Sequence, residues 1–447
     1  MKSENIYNGT GSGADTSCNG TGVADNMYAA FGISDGVAAL VKEAEEKVRH
    51  RFAGIDEICE YNTMKVVRAM QECNVSEACM LETTGYGYND VGRDRLEEVY
   101  SKIFGTEDAL VRSQIVCGTH ALATALFGNT RPGDEILSPV GMPYDTLQQV
   151  LGVTEGRGSL KEYGVSFRYV DLLPDGGFDY EGIRAAINER TRLVEIQRSR
   201  GYAERRSFSV AEIGELISFI RSIRPDLIFM VDNCYGEYTE LTEPSQAGAD
   251  MVVGSLIKNP GGGIAPVGGY IAGTHECVEN AAMWLTAPGL GKELGPSLGN
   301  NRLLYQGTFL APTVTAAAEK AAVLASAVFE RLGFTANPGA EEVRHDIIES
   351  IRLGSPELVI SFCRGIQKAA AVDAFAAPEP APMPGYESDI IMAAGCFISG
   401  SSIELSADGP LREPYQVFFQ GGLTYPHGKL GIMKAVQQML DDGLIRI

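Results

Sequence analysis

From residue 109 to residue 285 the chain switches hydrophobic period again and again. Short apolar runs bounded by Gly, Pro, Asn and Asp read as strands at 109–115, 135–138, 166–171, 193–197, 227–232, 251–255 and 269–273. Between them, apolar residues at helical spacing mark 119–127, 144–151, 179–188, 209–224 and 276–285. A strand that is apolar along its whole length must be covered on both faces, and a parallel neighbour is reached only through a crossover. The alternation therefore predicts an α/β fold with a mainly parallel seven-stranded sheet and helices on both faces. Ligands of such sheets bind in the crevice beyond the carboxyl ends of the strands.

The flanks read differently. Helical patterns at 37–52 and 55–73 suggest an N-terminal arm. A polar aromatic turn follows, Glu82-Thr83-Thr84-Gly85-Tyr86-Gly87-Tyr88-Asn89-Asp90, and then a helix at 95–105. Beyond a loop rich in Gly, Pro and Asn at 287–307, an Ala-rich helix at 313–332 leads into a smaller C-terminal α+β domain. That domain carries strand signals at 357–362, 390–393 and 417–420, a Pro-rich surface loop at 377–384 and a last helix at 429–441. Residues 1–26 have almost no apolar side chains and read as a disordered tail. Gly9-Thr10-Gly11-Ser12-Gly13 within it follows no strand, so it reads as linker rather than nucleotide-binding loop. The expected division is a tail (1–26), a helical arm (27–90), a large domain (91–310) and a small domain (311–447).

Fifty-eight acidic side chains against 37 basic ones give a formal charge of −21, which repels nucleic acid and anionic membranes and sets both aside as partners. No apolar run reaches the length of a membrane span, and the N-terminus lacks the basic and apolar segments of a signal peptide. Nine cysteines, an odd number without any Cys-x-x-Cys, argue against a disulfide framework and for reduced thiols in a cytoplasmic setting. The sequons at Asn8, Asn19 and Asn74 are then chance. Five isolated histidines without ligand spacing predict no metal site.

The chemistry gathers at predicted strand ends. Lys258 follows the strand at 251–255 in Ser255-Leu256-Ile257-Lys258-Asn259-Pro260-Gly261-Gly262-Gly263, where the glycines let backbone approach a ligand closely. Asp232 ends the apolar run at 227–231. Gly118 and Thr119 open a helix out of the first strand, and free amides there make a phosphate seat. Tyr144 opens the helix after the second strand, where its ring can cover a cofactor. Taken singly, each residue has a plainer reading. Lys258 would be a solvated charge, Asp232 a turn residue, Thr119 a helix cap, His120 a packed first-turn residue and Tyr144 a packing residue. Their order along one sheet edge favours a joint reading as a site for pyridoxal 5′-phosphate (PLP). Lys258 forms the Schiff base, Asp232 keeps the pyridine nitrogen protonated, and Ser255 with Gly118 and Thr119 holds the phosphate. A substrate carboxylate calls for a forked cation. Arg412, in Gly409-Pro410-Leu411-Arg412-Glu413-Pro414-Tyr415, is the first choice and Arg200 the second. The plain alternative for Arg412 is an ion pair with Glu413.

Gly118 to Ala121, Tyr144-Asp145-Thr146, Asp232-Asn233 and Ser255-Leu256-Ile257-Lys258 resemble, in order and spacing, the PLP site of the cysteine/methionine-metabolism enzymes. Those are fold type I proteins such as cystathionine lyases and methionine gamma-lyase. Gln197-Arg198-Ser199-Arg200-Gly201-Tyr202 and Phe419-Gln420-Gly421-Gly422-Leu423-Thr424-Tyr425 are similar to the methionine gamma-lyase-like branch labelled aluminium resistance proteins. The resemblance spans residues 35–447. It implies the PLP-dependent transferase fold type I and a homo-oligomer, dimer or tetramer, with shared active sites. It also implies a carbon–sulfur lyase that removes the α-proton of a sulfur amino acid and eliminates at Cβ or Cγ. On the same matching, Tyr86 and Ser199 join the cofactor contacts and Tyr88 the substrate contacts. Three departures stand out. The family's Tyr-x-Arg motif, which reaches the neighbouring subunit's cofactor phosphate, reads Tyr86-Gly87-Tyr88 here, with Arg93 the nearest substitute. Ile257 stands where the lyases have threonine, and Arg198 and Ser199 stand where a cofactor-contacting asparagine is expected. The cofactor therefore transfers better than the substrate. A PLP-dependent transferase and a non-catalytic stress-response role stay open as alternatives.

Overall fold

The computed structural model describes residues 27–383 and 388–447. The tail at 1–26, with its Gly-rich fragment and the sequons at Asn8 and Asn19, and Pro384 of the Pro-rich loop lie outside those residues. The two N-terminal helical patterns are one rod, α1 (Asp35–Glu72), of 38 residues. Gly54 does not break it, because a lone glycine costs a helix only about 1 kcal/mol and both halves of the rod are anchored by packing. Val37, Val41 and Ala44 enter one hydrophobic core, and Val66 and Ala69 another.

The alternating region forms α2 (Val91–Phe104), β1 (Asp108–Arg112), α3 (Gly118–Asn129), β2 (Glu135–Ser138), α4 (Asp145–Leu151), β3 (Ser166–Tyr169) and α5 (Tyr180–Ala186). It continues through β4 (Thr191–Gln197), α6 (Val210–Ile223), β5 (Ile228–Asp232), β6 (Met251–Ser255), β7 (Gly269–Gly273) and α7 (His275–Leu285). The seven strands lie in the order β1-β7-β6-β5-β4-β2-β3. Strands β2 to β6 run parallel, and β7 runs antiparallel to both neighbours. Ile213, Leu216, Ile217 and Ile220 of α6 cover one face, while Leu122 and Ala125 of α3 with Val278 and Ala281 of α7 cover the other. Each buried aliphatic side chain contributes about 1.5–3 kcal/mol, so two covered faces explain why these strands are apolar throughout. The expected fold class is the one observed, with strand and helix ends moved by a few residues.

The C-terminal part holds α8 (Asn301–Arg331), β8 (Thr335–Asn337), β9 (Glu349–Arg352), α9 (Pro356–Ala369), β10 (Ile390–Ala393), β11 (Ser406–Pro410), β12 (Gln416–Gln420) and α10 (Tyr425–Asp441). Its sheet, β10-β11-β12-β9-β8, is antiparallel throughout. The stretch at 357–362, expected as a strand, is helical. Ser355 caps it by accepting from the Leu358 N–H at 3.3 Å, and Pro356 occupies its first turn. The helix expected at 313–332 begins at Asn301, and Pro312 lies inside it rather than before it. Leu304, Tyr305 and Ala311 at its front pack into the large-domain core, and Ala321, Leu324 and Ala325 pack into the small one. Helices α1 and α8 thus tie both cores together. Among the described residues no helix is long and apolar enough to cross a membrane.

Helix α3, which points its N-terminus at the mouth of the sheet, is seated against α7 through Gly128. A Cβ at Gly128 would lie 2.7 Å from the Asn280 carbonyl oxygen and 2.8 Å from the Ala281 Cα. Gly128→Ala is expected to lower stability by about 1–3 kcal/mol in urea unfolding. An unchanged midpoint would show that the α3–α7 contact is not tight.

Candidate active site

At the carboxyl ends of the parallel strands, the walls of the large and small sheets enclose a cavity of about 830 Å³. It brings together Lys258, Asp232, Ser255, Gly118, Thr119, Tyr144, Ser199, Arg200 and Arg412. Tyr86 and Tyr88 are not among its lining. They are 69% and 55% exposed, with ring centroids 5.5 Å apart.

Asp232 is the last residue of β5, and its carboxylate accepts the Cys234 N–H at 3.1 Å. Burial pushes its pKa up, while Lys258, Cys234 and Arg205 act against that. The Lys258 ammonium lies 3.9 Å from the centroid of the Tyr235 ring. Burial opposes its charge, but the pull of Cys234, Tyr235, Asp232 and Tyr144 wins and raises its pKa. An ammonium and a carboxylate therefore line one cavity beyond β5 and β6.

A second subsite lies at the start of α3. Cys117, its cap residue, gives no side-chain hydrogen bond, so the first-turn amides are left open. The Ser255 hydroxyl is buried and has no hydrogen-bond partner among the described residues. A Cβ on Gly118 would stand 3.4 Å from the Ser255 Cβ and 3.6 Å from the Cys234 sulfur, filling the space between helix and strand. Open amides, an unpartnered hydroxyl and a bare glycine fit a phosphate, and the lysine–aspartate pair fits the two ends of a pyridine aldehyde. The residues present thus fit PLP.

Other expectations change. Thr119 does not cap α3. Its hydroxyl is 2.9 Å from the Tyr144 hydroxyl and 3.0 Å from that of Thr146, which fixes the Tyr144 ring at the cavity wall. The Tyr144 N–H donates to Gln197 Oε1 at 2.9 Å, and burial beside Asp232 raises its phenol pKa. The Ser199 hydroxyl donates to Asp346 Oδ2 at 2.7 Å, so it is already committed. Arg93 is no substitute for the missing motif arginine. It is 4% exposed and donates to the carbonyls of Gly87 at 2.8 Å and Gly295 at 3.0 Å. His120 Nδ1 accepts the Val116 N–H at 3.2 Å. Arg412 is exposed at the cavity, and the alternative ion pair with Glu413 is not formed among the described residues.

Comparison with known proteins decides the lineage. The family model for methionine gamma-lyase matches residues 37–440. The chain belongs to the methionine gamma-lyase family. It is 48% identical over 412 residues to the uncharacterized protein YnbB of Bacillus subtilis, covering 91% of this chain and 98% of that one. The solved structure of a Clostridium novyi protein described as a carbon-sulfur lyase involved in aluminum resistance superposes with a TM-score of 0.90. It is 46% identical, over 93% of this chain and 99% of that one. The PLP-dependent protein YhfS of Escherichia coli shares the fold, with a TM-score of 0.59 at 15% identity over 87% of this chain and 97% of its own. Membership in the methionine gamma-lyase family implies PLP as cofactor.

Three residues of this family member escaped the sequence reading. Arg205 sits in the polar run Ala203-Glu204-Arg205-Arg206, which reads as solvated surface. It donates instead to the carbonyls of Gln197 at 2.8 Å and Ser199 at 2.6 Å, pinning the chain as it leaves β4. Tyr235 carries a φ of +73°, a left-handed conformation rare for a bulky residue, which presents its ring to Lys258. Glu195 lies within an apolar strand, wholly buried and facing Asp232. Burial, with Asp232 adding, holds its carboxyl at about 8, against Arg205 and Ser138. An unfolded glutamate ionises near about pH 4.3. Above that the folded chain keeps a proton that the unfolded chain has lost, so stability falls as pH rises toward about 8. Glu195→Gln is expected to remove this slope. In urea unfolding it should gain on the wild type at alkaline pH and lose that gain near the unfolded pKa. Parallel profiles would contradict the assignment.

Proposed function

We propose that this protein is a PLP-dependent carbon–sulfur lyase acting on a sulfur amino acid of the cystathionine, cysteine or methionine type. One observation carries the reading. The Lys258 amine, the Asp232 carboxylate, the unpartnered Ser255 hydroxyl and the exposed Arg412 line a single cavity. The Clostridium novyi relative, described as a carbon-sulfur lyase, supports the same chemistry.

When bound, the cofactor supplies an electron sink that makes the substrate's α-proton removable. The rest falls to the chain. Ser255 and the amides of Gly118 and Thr119 hold the phosphate. Asp232 keeps the pyridine nitrogen protonated, and its own desolvation makes a cationic partner there strongly favourable. Tyr144, fixed by Thr119, covers the ring and excludes water from that face. Arg412 takes the α-carboxylate, which orients the Cα–H bond toward Lys258. The lysine amine then removes the α-proton. For a sulfur on Cβ that bond then breaks, and the sulfur leaves with the electron pair and takes up a proton as the thiol; for a sulfur on Cγ a Cβ proton must come off first, a second transfer open to Lys258 or a tyrosine. Hydrolysis of the remaining enamine gives a keto acid and ammonia.

In the working protein we read Tyr86 and Tyr88, exposed and outside this chain's own cavity, as contributions to the site of a second copy in a dimer or tetramer. The eight described cysteines are all free, which supports a reducing cytoplasmic setting.

Purified protein supplied with PLP and sulfur amino acids is expected to release thiol, keto acid and ammonia in equal amounts with no added nucleophile. Lys258→Ala should lower that rate by about 10²–10⁴-fold or more and lose the yellow colour of the PLP–lysine linkage. Product formation only when a second thiol or a keto acid is added would mean a transferase instead.

A further inference from the structure

Tyr235 sits in a turn that its own sequence does not favour. Its φ of +73° is a left-handed conformation that a bulky residue keeps only where the surroundings impose it. Two wholly buried side chains do so, Arg198 and Asn259. Arg198 donates to Asn233 Oδ1 at 2.8 Å and to the Gly236 carbonyl at 2.9 Å, and a Cβ on Gly236 would lie 2.7 Å from Arg198 Nη1. Asn259 Nδ2 donates to the Tyr235 carbonyl at 3.0 Å and to the Glu237 carbonyl at 3.1 Å. Asn259 directly follows Lys258, so the loop of the lysine is tied to the turn of the tyrosine.

The clamped turn places the Tyr235 ring on the cavity wall, with Lys258 Nζ over its face at 3.9 Å from the centroid. The other lysine–ring contacts among the described residues, Lys320 over Phe52 and Lys65 over Tyr238, are looser at 5.7 and 5.9 Å. The face of an aromatic ring carries the negative part of its quadrupole, which attracts a cation far more than a neutral amine. The ring therefore favours the ammonium, and a lysine that takes up a proton here is a stronger base than one beside an aliphatic wall. Asp232 and Cys234 at the end of β5, Tyr144 before α4 and Glu237 in the same turn are the other titratable groups that act on this amine.

We propose that Tyr235 is a catalytic residue whose ring face receives the Lys258 ammonium as the lysine takes the substrate's α-proton, and that Asn259 is the positioning residue that holds the ring there. The inference rests on Lys258 being the base, as proposed above. The proton passes from Cα to the lysine lone pair, the C–H electron pair stays with the substrate, and the ring neither gains nor loses a proton. The hydroxyl of Tyr235 is thus dispensable and its ring is not.

The whole chain, freed of cofactor, is labelled with trace acetic anhydride across a pH series. Mass spectrometry of the peptide containing Lys258 then gives the proton affinity of that amine. Tyr235→Phe is expected to keep the wild-type value. Phenylalanines bearing one, two and three ring fluorines, placed at position 235, should lower it stepwise, by about tenfold at the end of the series. Fluorine drains the ring face while nearly preserving its shape, and the other groups around the amine stay constant. Tyr235→Leu should match the end of the series, and Asn259→Ala should move in the same direction. A value indifferent to fluorination overturns the proposal. So does a Tyr235→Phe value as low as that of Tyr235→Leu, which would assign the effect to the hydroxyl. An unchanged Asn259→Ala value overturns the positioning role. In the PLP-loaded protein, α-proton exchange of L-norvaline, which has no sulfur to eliminate, is followed by NMR in deuterium oxide. On the alkaline plateau the fluorinated series should slow it by up to about tenfold. Absence of exchange in the wild type removes Lys258 as base and the catalytic role of Tyr235 with it. Exchange that follows the series while no sulfur amino acid is cleaved contradicts the lyase reading and leaves the role of Tyr235 standing.

Discussion

A carboxylate and an ammonium line one cavity at the ends of two adjacent parallel strands, buried Asp232 on β5 and half-buried Lys258 just past β6. Everything around them can be understood as holding that pair in place. The strands bring the two groups near each other because parallel neighbours end on the same side of a sheet. One backbone group and one ring then hold them, the Cys234 N–H on Asp232 and the Tyr235 ring against Lys258. Each favours the other's charged form: Lys258 acts against the upward push of burial on Asp232, and Asp232 is among the groups that raise the pKa of Lys258.

The mouth of the sheet is also where the backbone is most heavily tied by side chains. Arg205 holds the exit of β4 through two carbonyls, and Arg198 crosses to Asn233 at 2.8 Å and to the Gly236 carbonyl at 2.9 Å. Gln197 joins Tyr144 to Ser199 through both ends of its amide. These ties leave little freedom in the loops that carry the cavity wall. Helices α1 and α8, each shared by both cores, hold the five-stranded sheet, which brings Arg412 to the crevice of the seven-stranded one.

Much of this was legible in the sequence because it depends on local pattern. Apolar strands with turn residues at their ends predicted the large sheet, and strand-end positions predicted Lys258, Asp232, Ser255, Gly118 and Tyr144 as neighbours. The small domain was less legible. Strand β11, Ser406-Ala407-Asp408-Gly409-Pro410, has no β-branched or aromatic residue and is defined by pairing with β10 and β12. The segment after Pro356 is apolar enough to pass for a strand until its serine cap is considered. Glu195, Arg205 and the bonds of Ser199 and Arg93 could not be read at all, because they depend on long-range partners. A charged residue in a sequence reads as solvated by default, and only the fold reveals which charges are buried and which of those lack a counter-ion.

The central claim is that Lys258 carries the cofactor in this cavity. It is tested most directly by reducing the PLP-loaded protein with borohydride, digesting it and mapping the phosphopyridoxyl label by mass spectrometry. The account predicts one label per chain, on the peptide containing Lys258. A label on another lysine, or a protein that takes up PLP without forming any reducible linkage, would contradict it.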